Sequence, residues 1–163
     1  MLDHIFARYD AVLVLDTETT GISCRKDEII ELAVLKAGQD EAGLCELETM
    51  DEFVRLSEGR HLPDKIVELT GITERMLLDD GISKRQAAEM FSRMFGERTL
   101  IVAYNAQFGL CFLYYFLAQF GMADVLQGAK MLDALTVYKD RRPFPHKLCN
   151  AVDAYQLKTQ NTH

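Results

Sequence analysis

The chain has 163 residues, of which 48% are hydrophobic, and a formal net charge of −7, so one core burying roughly two thirds of the unfolded surface is expected. With a sequence pI near 5.1, no overall basic field draws it to phosphate backbones; a duplex binder of the usual cationic kind is excluded, and any nucleic-acid contact must be local or cation-mediated. The longest apolar segment, Leu110 to Met122, is too short to span a bilayer, and the scattered Cys24, Cys45, Cys111 and Cys149 form no C-x-x-C pair, which argues against membrane insertion, zinc and a disulfide framework and for reduced thiols in a cytoplasmic protein.

In chain order, Ala11 to Leu15 (AVLVL) is a short β-rich run that breaks at DTETTG, the pattern of a buried strand with a polar C-terminal end. Glu28 to Lys36 (EIIELAVLK) is a second such run, and Glu46 to Leu56 alternates more weakly, as an edge strand does. Gly38 and Gly43 punctuate the turn between them. Pro63 opens a short helix over Asp64 to Leu69, which Gly71 stops. Ser83 and Gln86 form a capping box ahead of Ala87, Met90, Phe91, Met94 and Phe95, an apolar stripe at helical spacing. Thr99 to Tyr104 (TLIVAY) returns as a strand, Ala106 to Phe120 is an apolar helix ended by Gly121, and Lys130 to Leu132 is a last short strand. Strands that cluster early and then alternate with helices indicate an α/β fold. No repeat or linker interrupts residues 1–163, which are read as one domain.

Asp16 and Glu18 are two residues apart at a strand end, and the strand period of two puts both carboxylates on one face, where they can share a hard cation. From the spacing alone the signal is weak, since paired acids at a strand end are more often solvated turn residues. The longer string decides the reading: DTETTG after an apolar strand resembles the first motif of the DnaQ-like, DEDD-type 3′→5′ exonucleases, the family of the proofreading epsilon subunit of bacterial DNA polymerase III and of ribonuclease T. Further features follow in that family's order. Val67 to Thr73 (VELTGIT) is similar to its loop against the terminal nucleotide, and Tyr104 to Leu110 (YNAQFGL) is similar to its second motif, H-N-A-x-F-D, in Asn105 and Phe108. Asp133, Ala134 and Leu135, then His146, Lys147 and Leu148, continue the resemblance. Asn161, Thr162 and His163 begin the third motif, H-x-A-x-x-D-A.

The resemblance implies a ribonuclease H-like mixed sheet of about five strands with helices on both faces. It implies that Asp16 and Glu18 are metal ligands, that His163 is the general base, and that Mg²⁺ or Mn²⁺ is the cofactor, two ions in the family's intact site. Thr17, Thr19, Leu69, Ile72, Asn105 and Phe108 become substrate-binding positions, Leu69 and Ile72 as base-stacking residues. The implied substrate is a single-stranded DNA or RNA 3′ end, and the implied partner a DNA polymerase. His146 as the base has the wrong surroundings, since no acid follows it at the required spacing. Two departures stand out. Gly109 takes the place of a metal-binding Asp, and the chain stops at His163 before the fourth acid, so impaired cutting is expected. A missing C-terminal helix is expected too, with self-association through the apolar surface it would cover. The rival expectation is a nuclease-derived module that binds a 3′ end or a protein partner without cutting.

Overall fold

A computed structural model describes residues 2–158. Helix α1 (Leu2–Phe6) leads into β1 (Ala11–Thr19), whose residues Ala11, Leu13 and Leu15 are buried on one face. Strand β2 (Ile29–Asp40) runs antiparallel to β1, and β3 (Gly43–Phe53) antiparallel to β2. Strands β4 (Thr99–Ala103) and β5 (Lys130–Asp133) are added in parallel on the other side, giving a five-stranded mixed sheet in the order β3-β2-β1-β4-β5. This is the ribonuclease H-like α/β arrangement expected from the motifs.

Between β3 and β4 lie α2 (Asp64–Thr70), α3 (Glu74–Asp79) and α4 (Lys84–Met94); α5 (Ala106–Ala118) links β4 to β5, and α6 (Ala134–Arg141) and α7 (Leu148–Ala154) follow. The capping box at α4 forms as expected, with Gln86 N–H donating to Ser83 Oγ and Ser83 N–H donating to Gln86 Oε1. It aims Ala87, Ala88, Phe91 and Met94 inward, where they meet Leu13, Leu15, Val34, Ile101 and the inner face of α5 (Phe112, Leu113, Phe116 and Leu117) in the main core. A smaller core of Ile30, Leu62, Ile72 and Leu77 lies beneath α2 and α3. Gly71, at φ 74°, closes α2 in the left-handed region that glycine tolerates.

Several expectations need correction. β1 does not break at Asp16 but continues through Thr19, so the acids sit on regular strand. Gly38 is inside β2, where an added Cβ would lie 2.9 Å from Leu47 Cδ1; the turn is made by Asp40, whose Oδ1 accepts the N–H groups of Ala42 and Gly43. Cys24 and Cys111 are joined in a disulfide, their Cα atoms 5.9 Å apart, while Cys45 and Cys149 are free. The pair is separated by 87 residues in sequence, so no local spacing could reveal it. Among the described residues, no helix is long and apolar enough to cross a membrane.

Candidate active site

The end of β1 is where the sheet can present polar groups, since α4 and α5 cover the face defined by Leu13 and Leu15. Side-chain alternation turns Asp16 and Glu18 to the opposite face. Asp16 is exposed and its Oδ1 accepts the Thr17 N–H at 3.0 Å. Glu18 pairs in register with Glu31 of β2, and the ladder slips by one residue immediately afterwards, between Glu18 and Thr19. A bulge at this point re-aims the strand, a device common beside functional sites. Glu31 was missed as a candidate because the sequence shows it only as one position of a β-rich run; pairing to β1 alone places it on the face of Asp16 and Glu18. Like charges directly opposed across a ladder are unfavourable unless a cation offsets them.

Thr17 points the other way, toward α5. A Cβ built on Gly109 lies 3.8 Å from Thr17 Oγ1 and 3.8 Å from Leu15 Cδ2, ordinary van der Waals separations. Gly109 is buried on regular helix, so neither space nor backbone conformation requires glycine there. Asn105 caps α5 at φ 65° and ψ 53° and is exposed. Its N–H donates to Asp133 Oδ1 at 3.0 Å, and the same oxygen accepts the Leu135 N–H at 2.9 Å. Asp133 therefore ties the end of β5 to the starts of α5 and α6 through Oδ1. Phe108 is half-buried, its ring 4.9 Å from that of Phe112.

The remaining candidates separate. Thr19 is 7% exposed and donates its hydroxyl to Gly21 O at 2.6 Å, an internal turn contact. Leu69 is 72% exposed on α2, the accessibility a stacking platform needs. Ile72 is corrected: at 4% exposure it belongs to the second core, packed with Ile30, Leu62 and Leu77, and has no face to offer a base. His146 lies within hydrogen-bond distance of Arg142 O (2.9 Å, to Nε2), beside the rings of Tyr138 and Phe144, surroundings that hold it in the α6–α7 connection. Tyr104, where the family motif has histidine, donates its hydroxyl to His146 O at 2.8 Å; burial, followed by Tyr138, Cys149 and Asp133, pushes its phenol up and keeps it a donor. His163 lies outside the described residues.

The donor set thus consists of two carboxylates on one strand face, suited by hardness to Mg²⁺ or Mn²⁺ with water completing the shell. Among the described residues, no group of three or more His, Cys, Asp or Glu side chains is arranged to hold a metal ion. The residues fit half of a site.

A family profile described as exonuclease matches residues 13–163. The chain belongs to this exonuclease family. A PolC-type DNA polymerase III from Halalkalibacterium halodurans is 34% identical over 122 residues, 74% of this chain but 8% of that protein. The PolC-type enzyme of Thermotoga maritima is 38% identical over 106 residues, covering 62% and 7%. The chain therefore spans less than a tenth of these relatives. Among solved structures, E. coli exonuclease I in complex with a dA16 oligonucleotide superposes with a TM-score of 0.79 at 19% identity, over 94% of this chain and 37% of that one. A product-bound exonuclease I gives 0.77 at 18% identity, over 92% and 39%. At such identities the structural likeness establishes the fold.

Proposed function

We propose that residues 1–163 form a single exonuclease domain that removes nucleotides in the 3′→5′ direction from single-stranded DNA or RNA, with its own cutting strongly reduced by Gly109. The observation that carries this reading is the placement of Asp16 and Glu18 together on the open face of β1, at the end of the strand whose other face packs Leu15 and Thr17 against Gly109 of α5. In this reading the two carboxylates hold one Mg²⁺ or Mn²⁺ ion, which when bound offsets the charge of the scissile phosphate. The exposed Leu69 packs on the terminal base, Asn105 and Phe108 border the terminal nucleotide, and backbone groups around Thr17 position its sugar and phosphate. His163 takes the proton from the attacking water, a neutral imidazole being suited to that step near pH 7. The PolC-type relatives and the oligonucleotide complex of exonuclease I support a DNA 3′ end, and by the same relatives a polymerase is the natural partner.

The test supplies an acid at position 109 and the third-motif continuation after His163. Gly109→Asp combined with a C-terminal extension continuing H-x-A-x-x-D-A from His163 should raise 3′→5′ hydrolysis of a 5′-labelled oligonucleotide by several powers of ten, since each 1.4 kcal/mol of transition-state stabilisation is about tenfold. Either change alone should recover much less, because groups acting as a unit are not additive. A repaired protein that yields no shortening ladder on DNA or RNA rejects the nuclease reading. A second reading is favoured by Gly109 itself: a module that binds a 3′ end without cutting it. That reading predicts 3′-end binding by the unaltered chain and no gain of cutting on repair.

A further inference from the structure

A protein of net charge −7 that handles a polyanion must gather cations locally, and one hollow outside the site described above is lined by four of them. The loop after β1, the start of α4 and the side of α5 that carries Phe112, Tyr115 and Phe116 border a hollow of about 600 Å³, walled by Arg25, Lys26, Arg60 and Lys84 against two carboxylates, Asp27 and Glu28. The acids are committed internally. Glu28 Oε2 lies 2.8 Å from Lys84 Nζ and accepts the Ser57 N–H, and its Oε1 lies 3.5 Å from Arg60 Nε. Burial raises the Glu28 pKa, but the Lys84 and Ser57 hydrogen bonds outweigh it and hold the carboxyl below its ordinary range, so it stays charged. Asp27 Oδ2 accepts the Ser23 N–H at 2.8 Å. Arg25 donates to Tyr115 Oη at 2.9 Å and lies over that ring, an orientation that costs none of its charge. Among the described residues, neither Arg25 nor Lys26 forms an ion pair with a carboxylate. Both are exposed.

The hollow adjoins the part of the candidate active site formed by Asn105 and Phe108. A second depression, lined by Ile22, Asn105, Gln107 and Phe108, shares Cys24 and Phe112 with it as walls. Cys24 and Cys111, joined in the disulfide, fix the loop to α5 at this junction. From Phe108 to Tyr115 the path follows seven residues of α5, roughly 10 Å at 1.5 Å per residue. For a stacked strand, with the helical rise of about 3.4 Å per nucleotide, this is the reach of roughly three nucleotides.

We infer that this hollow is an anchoring subsite for the phosphodiester backbone of the substrate strand, about three nucleotides 5′ of the terminal residue, with Arg25 and Lys26 as its phosphate contacts. The inference rests on the proposed nuclease or 3′-end-binding reading. A built cation site at that distance supplies what the acidic surface withholds, a hold on the strand that does not depend on the metal ligands. It also gives a length threshold: oligonucleotides too short to reach it lack the anchor.

The test is fluorescence-anisotropy binding of 3′-accessible dT3 and dT12 to the unaltered chain and to Arg25→Gln/Lys26→Gln, with Arg93→Gln/Lys139→Gln, two exposed cations elsewhere, as the equal-charge control. Because Arg25 and Lys26 are exposed, the fold should survive, and thermal melting confirms it. The pocket variant should lose about tenfold or more in dT12 affinity, with the slope of log K against log salt smaller by about 1.4 for two lost phosphate contacts. Its dT3 affinity and the affinities of the control should stay within about twofold. Unchanged dT12 binding, or equal losses for dT3 and dT12, overturns the subsite. Competition with thymidine monophosphate separates a free-nucleotide site: a variant that loses monophosphate affinity but keeps dT12 also overturns it. The nuclease reading is judged separately, by the Gly109→Asp ladder.

Discussion

Gly109→Ala separates a lost ligand from a required glycine. Position 109 is the fourth residue of α5, on regular helix and buried against β1. Alanine there gains about 1 kcal/mol in helix propensity over glycine. The added methyl meets Leu15 Cδ2 and Thr17 Oγ1 at 3.8 Å each, so it fills space without displacing either and contributes on the order of 0.5 kcal/mol from burial. The expected stabilisation is about 1 to 1.5 kcal/mol, which for a chain of this length is a rise in Tm of roughly 2–6 °C. Thermal unfolding followed by circular dichroism, with urea midpoints as a second measure, reads it directly. A fall in Tm would mean that close packing of α5 on β1 demands glycine, and that the residue is there for the fold instead of in place of an acid.

Mn²⁺ titration by calorimetry should give one weak event in the unaltered chain and none in Asp16→Ala; tight binding of two ions would show that another residue completes the site. Leu69→Ala should lower affinity for a 3′ end by about five- to tenfold at unchanged Tm, the loss expected of an exposed platform of about 1 kcal/mol, whereas Ile72→Ala should destabilise the protein by about 2–4 kcal/mol, as burial in the second core implies. Glu28→Gln should cost about 1–2 kcal/mol at pH 7. Because the folded-state pKa of Glu28 is lowered, its contribution is present in full above the unfolded value of about 4.3 and is lost as pH falls through the lower folded value, so the difference between Glu28→Gln and the parent should close in that acid window.

The strands, the capped α4 and the apolar α5 were legible because each carries a periodic apolar pattern strong enough to outweigh local ambiguity. What escaped was set by long-range pairing. Glu31 faces Glu18 only through the β1–β2 register, Cys24 meets Cys111 only once α5 packs beside the β1–β2 loop, and Asp133 becomes a shared cap only when β5 ends beside α5. Ile72 was misjudged for the same reason. A short helix ended by glycine reads alike whether the residue after it faces solvent or core, and the packing of α2 and α3 beneath β2 decides between them.

The electrostatics of β1 bear on which of its features serve the fold. Asp16, Glu18 and the register-opposed Glu31 crowd one sheet face with like charge, an arrangement that sheet stability alone disfavours. On the other face Leu13, Leu15 and Gly109 pack without strain, and a side chain at 109 is sterically tolerated. The glycine, by contrast, costs helix stability that alanine would restore. The anchoring cations lie beyond Phe112, away from both. On the proposed reading, glycine at 109 withholds a group used for cutting and leaves the proposed strand anchor in place, which is why binding and hydrolysis have to be measured apart in this protein.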